Sequence, residues 1–160
     1  MQASSALAAT SLSLSETISI LLRSKGSEVV SVSIDSSVFE AIKIMAERHV
    51  GALVIFDGSS LAGIVSERDY ARKVILKGRN SHDTKVREIM TTPVIFVAPD
   101  QTVDECLRLM TKQRIRHLLV VENEEVVGLV SMGDLVNLII SSQTQTIQHL
   151  QGYIAGDYPC

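Results

Sequence analysis

The chain has no tryptophan, and aromatic residues fill only 4% of its 160 positions. A protein that grips single-stranded nucleic acid by stacking bases on aromatic side chains needs more of them. A basic excess is missing too: 15 lysines and arginines stand against 18 acids, with a net charge of −3 and a pI near 5.8. That excludes a broad cationic face for nucleic acid. Cysteine occurs twice, at Cys106 and Cys160. Two such thiols form neither a disulfide framework nor a zinc spacing, so a reducing interior is expected. No apolar run reaches the roughly 18 residues of a membrane span. The opening "MQASSALAATSLSLS" lacks lysine and arginine, whereas signal and transit peptides need basic residues. Residues 1–16 are therefore expected to be a flexible N-terminal arm.

What is present is a globular composition, 46% hydrophobic and 21% charged, arranged as an internal repeat. Asp35 and Asp100 stand 65 positions apart, and the same offset pairs Met45 with Met110, Leu53 with Leu118 and Gly63 with Gly128. It also pairs Ser66 with Ser131 and Asp69 with Asp134, with no gap from Val29 through Ile75. "SSVFEAIKIMAERH" and "QTVDECLRLMTKQR" each set apolar residues at i, i+3, i+4 and i+7, the stripe of an amphipathic helix. Cys106 and both methionines fall on those stripes and read as core. Ser37 with Glu40, and Thr102 with Glu105, have capping-box spacing.

Each helix is followed by two short apolar runs around a polar turn, at Asp57–Gly58 and at Glu122–Glu125. These read as hairpins, apolar enough for both faces to be covered. A second helix follows in each copy, with Gly78 as a stop for the first. The leading segments also match: "TISILLRSKGSEVVSV" resembles "TKVREIMTTPVIFV", with three extra residues in the first. Each unit is thus β-α-β-β-α, in an α/β (α+β) chain. The boundaries are 17–83 for repeat 1 and 84–145 for repeat 2, with a polar linker at Lys77–Lys85 and a tail at 146–160. Neither repeat is large enough to bury much alone. Sheet-to-sheet packing about a pseudo-two-fold axis is expected, with a ligand cleft appearing twice.

Ser-x-x-Asp at a strand-to-helix junction serves as a helix cap as readily as a binding element, and the two roles are compatible. A carboxylate can accept two bonds from vicinal ribose hydroxyls, and a helix N-terminus favours an anion. Arg68 lies in the first turn, where a guanidinium suits phosphate. The copies differ there: Gly133 stands opposite Arg68, and Arg116 and His117 stand opposite Gly51 and Ala52. His49, His82 and His149 show no ligand spacing. No catalytic triad or metal cluster can be assembled, so an enzyme is not expected.

The segments "SVFEAIKIMAERHVGALVI", "LAGIVSERDYARKVI", "VREIMTTPVIFVAPDQTV", "RIRHLLVV" and "VVGLVSMGDLV" together resemble the cystathionine-β-synthase (CBS) domain family. The form is the tandem pair, or Bateman module. "SERDYARK" and "QHLQGYIAGDYP" are most similar to the small stand-alone CBS-pair proteins of bacteria and plant mitochondria. The resemblance implies a regulatory sensor for an adenosine ligand such as AMP, ADP, ATP, NAD or S-adenosylmethionine, with no other cofactor required. It places Asp69 and Asp134 on ribose hydroxyls, and Ser66 and Ser131 on ribose or phosphate. Arg116 and His117 would face phosphates, and adenine would lie near Val32, Ile34, Val50, Gly51 and Ala52. It further implies a homodimer and a regulated protein partner, without nucleic acid or membrane. A ligand-independent dimeric scaffold is the alternative, with "DLVNLIISS" and "TISILL" as candidate surfaces. A cytoplasmic location is expected, or a mitochondrial one if a transit peptide has been removed.

Overall fold

A computed structural model describes residues 14–26 and 28–142. The arm up to residue 13 and the tail 146–160, with His149 and Cys160, lie outside the described residues. The element order is α1 (Ile18–Lys25), β1 (Ser31–Ser33), α2 (Val38–Arg48), β2 (Ala52–Asp57), β3 (Ser60–Ser66) and α3 (Glu67–Tyr70). A π-helical turn, Ala71–Ile75, continues α3. After a 3-10 turn at Val86–Glu88 come β4 (Phe96–Val97), α4 (Val103–Gln113), β5 (His117–Glu122), β6 (Glu125–Ser131) and α5 (132–142). The β-α-β-β-α order therefore occurs twice.

Each repeat builds a three-stranded sheet with its second strand in the middle, parallel to the first and antiparallel to the third. The duplication extends to irregular features. The register shifts at Ile55/Phe56 and again at Val120/Val121. His49 and Arg114 both end their helices in the left-handed conformation, at φ 54° and 56°. Ser37 and Thr102 make the first half of the expected capping box, each accepting an N–H three residues on at 3.1 Å, without the return bond from Glu40 or Glu105. The second hairpin turn has no glycine, and Asn123 and Glu124 carry its positive φ values. Gly78 also takes a positive φ, 65°, just past the π-turn.

Two expectations need adjusting. Ala52–Ile55 and Leu118–Val120 are fully buried, but β3 and β6 alternate buried with partly exposed residues. A near-continuous apolar run was thus the right sign for the central strands only. The linker is also more than a spacer. The Thr84 and Ser81 carbonyls accept the Val38 and Phe39 N–H groups at 2.8 and 3.0 Å. Those are first-turn amides that a helix cannot satisfy itself.

In space the chain forms two compact units, 28–95 and 96–142 together with 14–26. These differ from the linear repeats in one respect: the leading segment of each repeat belongs to the unit of the other. In unit 28–95, Ser37 bridges Lys85 and the Val86 N–H donates to the Ser36 carbonyl at 2.9 Å. In the second unit, Thr17 bridges Thr102 and the Ile18 N–H donates to the Gln101 carbonyl at 2.9 Å. The core of unit 28–95 joins Val38, Ala41 and Met45 of α2 to Leu53, Ile55 and Val65, and takes in Val86 and Ile89 from the exchanged segment. Its counterpart buries Val103, Cys106 and Met110 of α4 with Leu118, Val130 and Leu135, and takes in Ile18 and Leu21 of α1. Half of the apolar face of "TISILL" is thus spent inside the unit. Burial, with Glu105 nearby, pushes the Cys106 thiol up to about 11, so it is an inert core residue.

Candidate functional site

Strand β3 arrives at Ser66 in an extended conformation, φ −124° and ψ 164°, and the chain turns at once into α3. The Ser66 hydroxyl oxygen accepts the Asp69 N–H at 3.2 Å. Asp69 Oδ2 accepts in return the Ser66 N–H at 2.9 Å and its hydroxyl at 3.0 Å. The box closes because serine and aspartate are each short enough to reach the other's backbone across one turn. The Glu67 N–H donates to the Gly51 carbonyl at 3.0 Å, and Ala52 pairs with Ser66. Val50, Gly51 and Ala52 therefore lie against the junction.

The other oxygen of Asp69 faces two further groups. The π-turn presents Lys73, whose Nζ lies 2.9 Å from Asp69 Oδ1 and donates to the Ile89 carbonyl at 2.8 Å. Thr91, on the exchanged segment, donates its hydroxyl to Oδ1 at 3.4 Å. Its backbone pairs with Ile64 on the open edge of β3, at 2.8 Å for Thr91 N–H to Ile64 O and 3.2 Å for the reverse. Gly63 permits this: a Cβ there would stand 2.9 Å from the Thr91 carbonyl oxygen.

The second junction repeats the frame. Ser131 N–H donates to Asp134 Oδ2 at 2.8 Å, and Asp134 N–H donates to the Ser131 hydroxyl at 3.1 Å. The Met132 N–H donates to the Arg116 carbonyl at 2.8 Å, and His117 pairs with Ser131. Its cation comes from elsewhere, however. Lys25, the last residue of α1, donates from Nζ to Asp134 Oδ2 at 2.5 Å and to the Leu129 carbonyl at 2.9 Å. Burial alone would raise the Asp134 pKa, but the bonds from Lys25 and Ser131 outweigh it and hold the carboxyl below its ordinary value.

The structure thus gathers Ser66, Asp69, Val50, Gly51 and Ala52 in one unit, with Arg68 on the exposed side of the same turn. It gathers Arg116, His117, Ser131 and Asp134 in the other. Val32 and Ile34 are not brought to the junction. Val32 pairs with Ile55, and the Ile34 N–H bonds to the Phe56 carbonyl, about 10 and 13 Å along β2 from Ala52. Val32 is buried in the core. Lys25, Lys73 and Thr91 are the residues that sequence reasoning missed. Lys25 and Thr91 themselves lie on exchanged segments, which no local pattern announces, whereas the i, i+4 spacing of Asp69 and Lys73 was the signal that could have found Lys73.

Chemically, each junction holds a partly exposed carboxylate, 14% exposed for Asp69 and 22% for Asp134, beside a hydroxyl and an ammonium. That set can accept bonds from paired hydroxyls and pair with an anion. Among the described residues, no group of three or more His, Cys, Asp or Glu is placed to hold a metal ion, and no helix is long and apolar enough to cross a membrane.

A twice-built β-α-β-β-α unit with Ser-x-x-Asp at each last junction defines a class, and comparison with known proteins gives it a name. The profile of the family described as CBS domain matches residues 12–75 and 86–141. The chain belongs to the CBS-domain family, as a tandem pair. It is 40% identical over 153 residues to a mitochondrial CBS domain-containing protein, CBSX3, of Arabidopsis thaliana, covering 90% of this chain and 74% of that one. Among solved structures it is similar to a putative signal-transduction protein with CBS domains from Burkholderia ambifaria. Identity there is 46% and the TM-score 0.76, over 79% of this chain and 95% of that one. A hexameric CBS-CP12 protein from bloom-forming cyanobacteria matches at 29% identity and TM-score 0.64, over 69% of this chain and 65% of that one.

Proposed function

We propose that the chain is a regulatory module that binds an adenosine compound at the Ser66–Asp69 and Ser131–Asp134 junctions and passes that state to a partner or to its own assembly. The observation that carries the reading is the hydroxyl–carboxylate pair built twice, with matching bonds, at the same strand-to-helix turn. In this reading Asp69 and Asp134 hold ribose hydroxyls, and Ser66 and Ser131 line the ribose. Arg68, Arg116 and His117 meet phosphate, and the base rests near Val50–Ala52. Val32 and Ile34 serve the core and not the base. Binding favours one of two pre-existing arrangements of the molecule. The description of the Burkholderia relative as a putative signal-transduction protein supports a regulatory role. That of the Arabidopsis relative supports a mitochondrial location over a cytoplasmic one. Titration calorimetry with AMP, ADP, ATP, NAD and S-adenosylmethionine tests the reading. Saturable heat is expected from at least one, and is lost in a D69N/D134N double variant. No heat from any of them at millimolar concentration would overturn it.

The scaffold reading is favoured by a different observation. Ile75 and Leu76 are 56% and 76% exposed, and Val136 and Ile140 are 41% and 53% exposed. Apolar residues open at matching ends of both repeats suit a self-association surface, as does the hexamer named for the cyanobacterial relative. Sedimentation with and without ligand separates the readings, because a scaffold assembles identically in both.

A further inference from the structure

Met90 differs from the methionines of the core stripes. Met45 and Met110 are 1% and 0% exposed, whereas Met90 is partly exposed and packs on the edge of the core. Its side chain sits directly on Gly63: Sδ and Cγ stand 3.0 and 3.3 Å from the point that a Cβ there would take. Next to that contact, two backbone bonds join Thr91 to Ile64 in a single isolated bridge. Both groups that meet Asp69 Oδ1 depend on this hold. Thr91 brings its hydroxyl, and Lys73 is anchored on the Ile89 carbonyl, one residue before Met90. In the other unit the aligned residue is Leu22, which packs on Gly128. Both repeats thus rest a side chain on a glycine of the last strand, and the first has a sulfur in that contact where the second has carbon.

We propose that Met90 is a site of reversible oxidation by peroxide, and that its state decides whether the exchanged segment stays on β3. A thioether lone pair attacks one oxygen of hydrogen peroxide and the O–O bond breaks. The second oxygen leaves as hydroxide and takes the proton of the first, becoming water. Sulfur loses two electrons and becomes the sulfoxide, and the peroxide is reduced. The sulfoxide is polar where the thioether was apolar, and burying it without a donor is costly. Toward Gly63 there is no room for the added oxygen, so the side chain turns it out to water and withdraws from β3. Thr91 then loses its support, and Asp69 loses both the Thr91 hydroxyl and the carbonyl that anchors Lys73. A methionine sulfoxide reductase restores the thioether, with water released as a dithiol becomes a disulfide. None of this depends on what the junction binds.

The full chain, treated with millimolar hydrogen peroxide, is read in two ways. Peptide mass spectrometry ranks the methionines by uptake of one oxygen atom, and amide hydrogen exchange follows Thr91 and Ile64. Met90 should oxidise ahead of Met45 and Met110. Both amides should then exchange about tenfold faster, and the reductase should restore them. Met90→Leu, the side chain that the other repeat uses, should keep both amides protected under the same treatment. That variant retains Met132, the other partly exposed methionine among the described residues, and so reports what oxidation elsewhere does. Met90→Gln places a polar side chain of similar length on Gly63 and should loosen the same two amides without any oxidant. Three results would each overturn the site: oxidation of Met90 no faster than of Met45 and Met110, unchanged protection once Met90 is oxidised, or equal loosening in the leucine variant. All three leave the adenosine reading to its own calorimetry.

Discussion

The junctions at Ser66–Asp69 and Ser131–Asp134 share a frame and differ in what leans on it. Within the frame, even the bulge positions and the left-handed helix ends repeat. Outside it, the segment exchanged into unit 28–95 makes a 3-10 turn at Val86–Glu88 and meets β3 through the single bridge Ile64–Thr91, whereas the one exchanged into the other unit is the eight-residue helix α1. A shared Ser-x-x-Asp therefore does not give an identical site. The layer that covers each frame, drawn from a less repetitive stretch of the chain, decides which groups meet the carboxylate.

The largest expected effect tests the shared part. Leu53 and Leu118 occupy the same position in the two central strands, and both are fully buried. Replacing either by alanine removes a core side chain and leaves a cavity, costing about 3 kcal/mol. The two variants should agree to within roughly 1 kcal/mol in chemical denaturation, as equal packing densities require. A much larger difference would show that the frames are alike in backbone only.

A smaller effect tests the covering layer. Alanine at Gly63 puts its Cβ 2.9 Å from the Thr91 carbonyl oxygen and 3.0 Å from Met90 Sδ, so backbone must move. Alanine at Gly128 meets only the end of the Leu22 side chain, which can rotate away. We expect Gly63→Ala to cost about 2 kcal/mol and Gly128→Ala about half of that. Equal losses would mean that α1 is held as rigidly as the segment that carries Thr91.

The frame was legible in the sequence because its causes are local. Helices α2 and α4 follow from a 3.6-residue apolar period, the hairpins from polar turns between apolar runs, and the caps from Ser and Thr three residues ahead of Glu or Asp. One register of 65 residues then guaranteed that whatever was read once held twice. What resisted reading was non-local. Nothing in "VREIMTT" says that Thr91 will lie on β3, and nothing in "LLRSKG" says that Lys25 will reach Asp134. Both contacts depend on chain exchange, which is decided by packing and not by propensity. The distance of Val32 and Ile34 from the junction escaped reading for a related reason. Strand registers are set by pairing, and the parallel register of β1 carries them toward Phe56, away from Ala52.

The finest test of the difference is the titration of Asp134. Its folded-state pKa lies below the ordinary 3.8 because Lys25 and Ser131 together outweigh burial. In that range the unfolded chain binds the proton more readily than the folded one. The stability contributed by the carboxylate is therefore complete above the unfolded value and drains away as pH falls through the depressed folded value. Lys25→Met removes the strongest of the lowering interactions and leaves burial opposed only by the bonds from Ser131. The carboxyl should then titrate at higher pH than in the parent, and acid unfolding should begin earlier on the pH scale. A carbon-13 NMR titration of the Asp134 side chain reads the first effect, and far-ultraviolet circular dichroism against pH reads the second. Lys25→Arg, which restores a cation to the same position, should return both curves toward the parent. If Lys25→Met leaves the carboxyl where it was, then the bonds from Ser131 alone set its charge, and Lys25 is a neighbour without electrostatic effect on it.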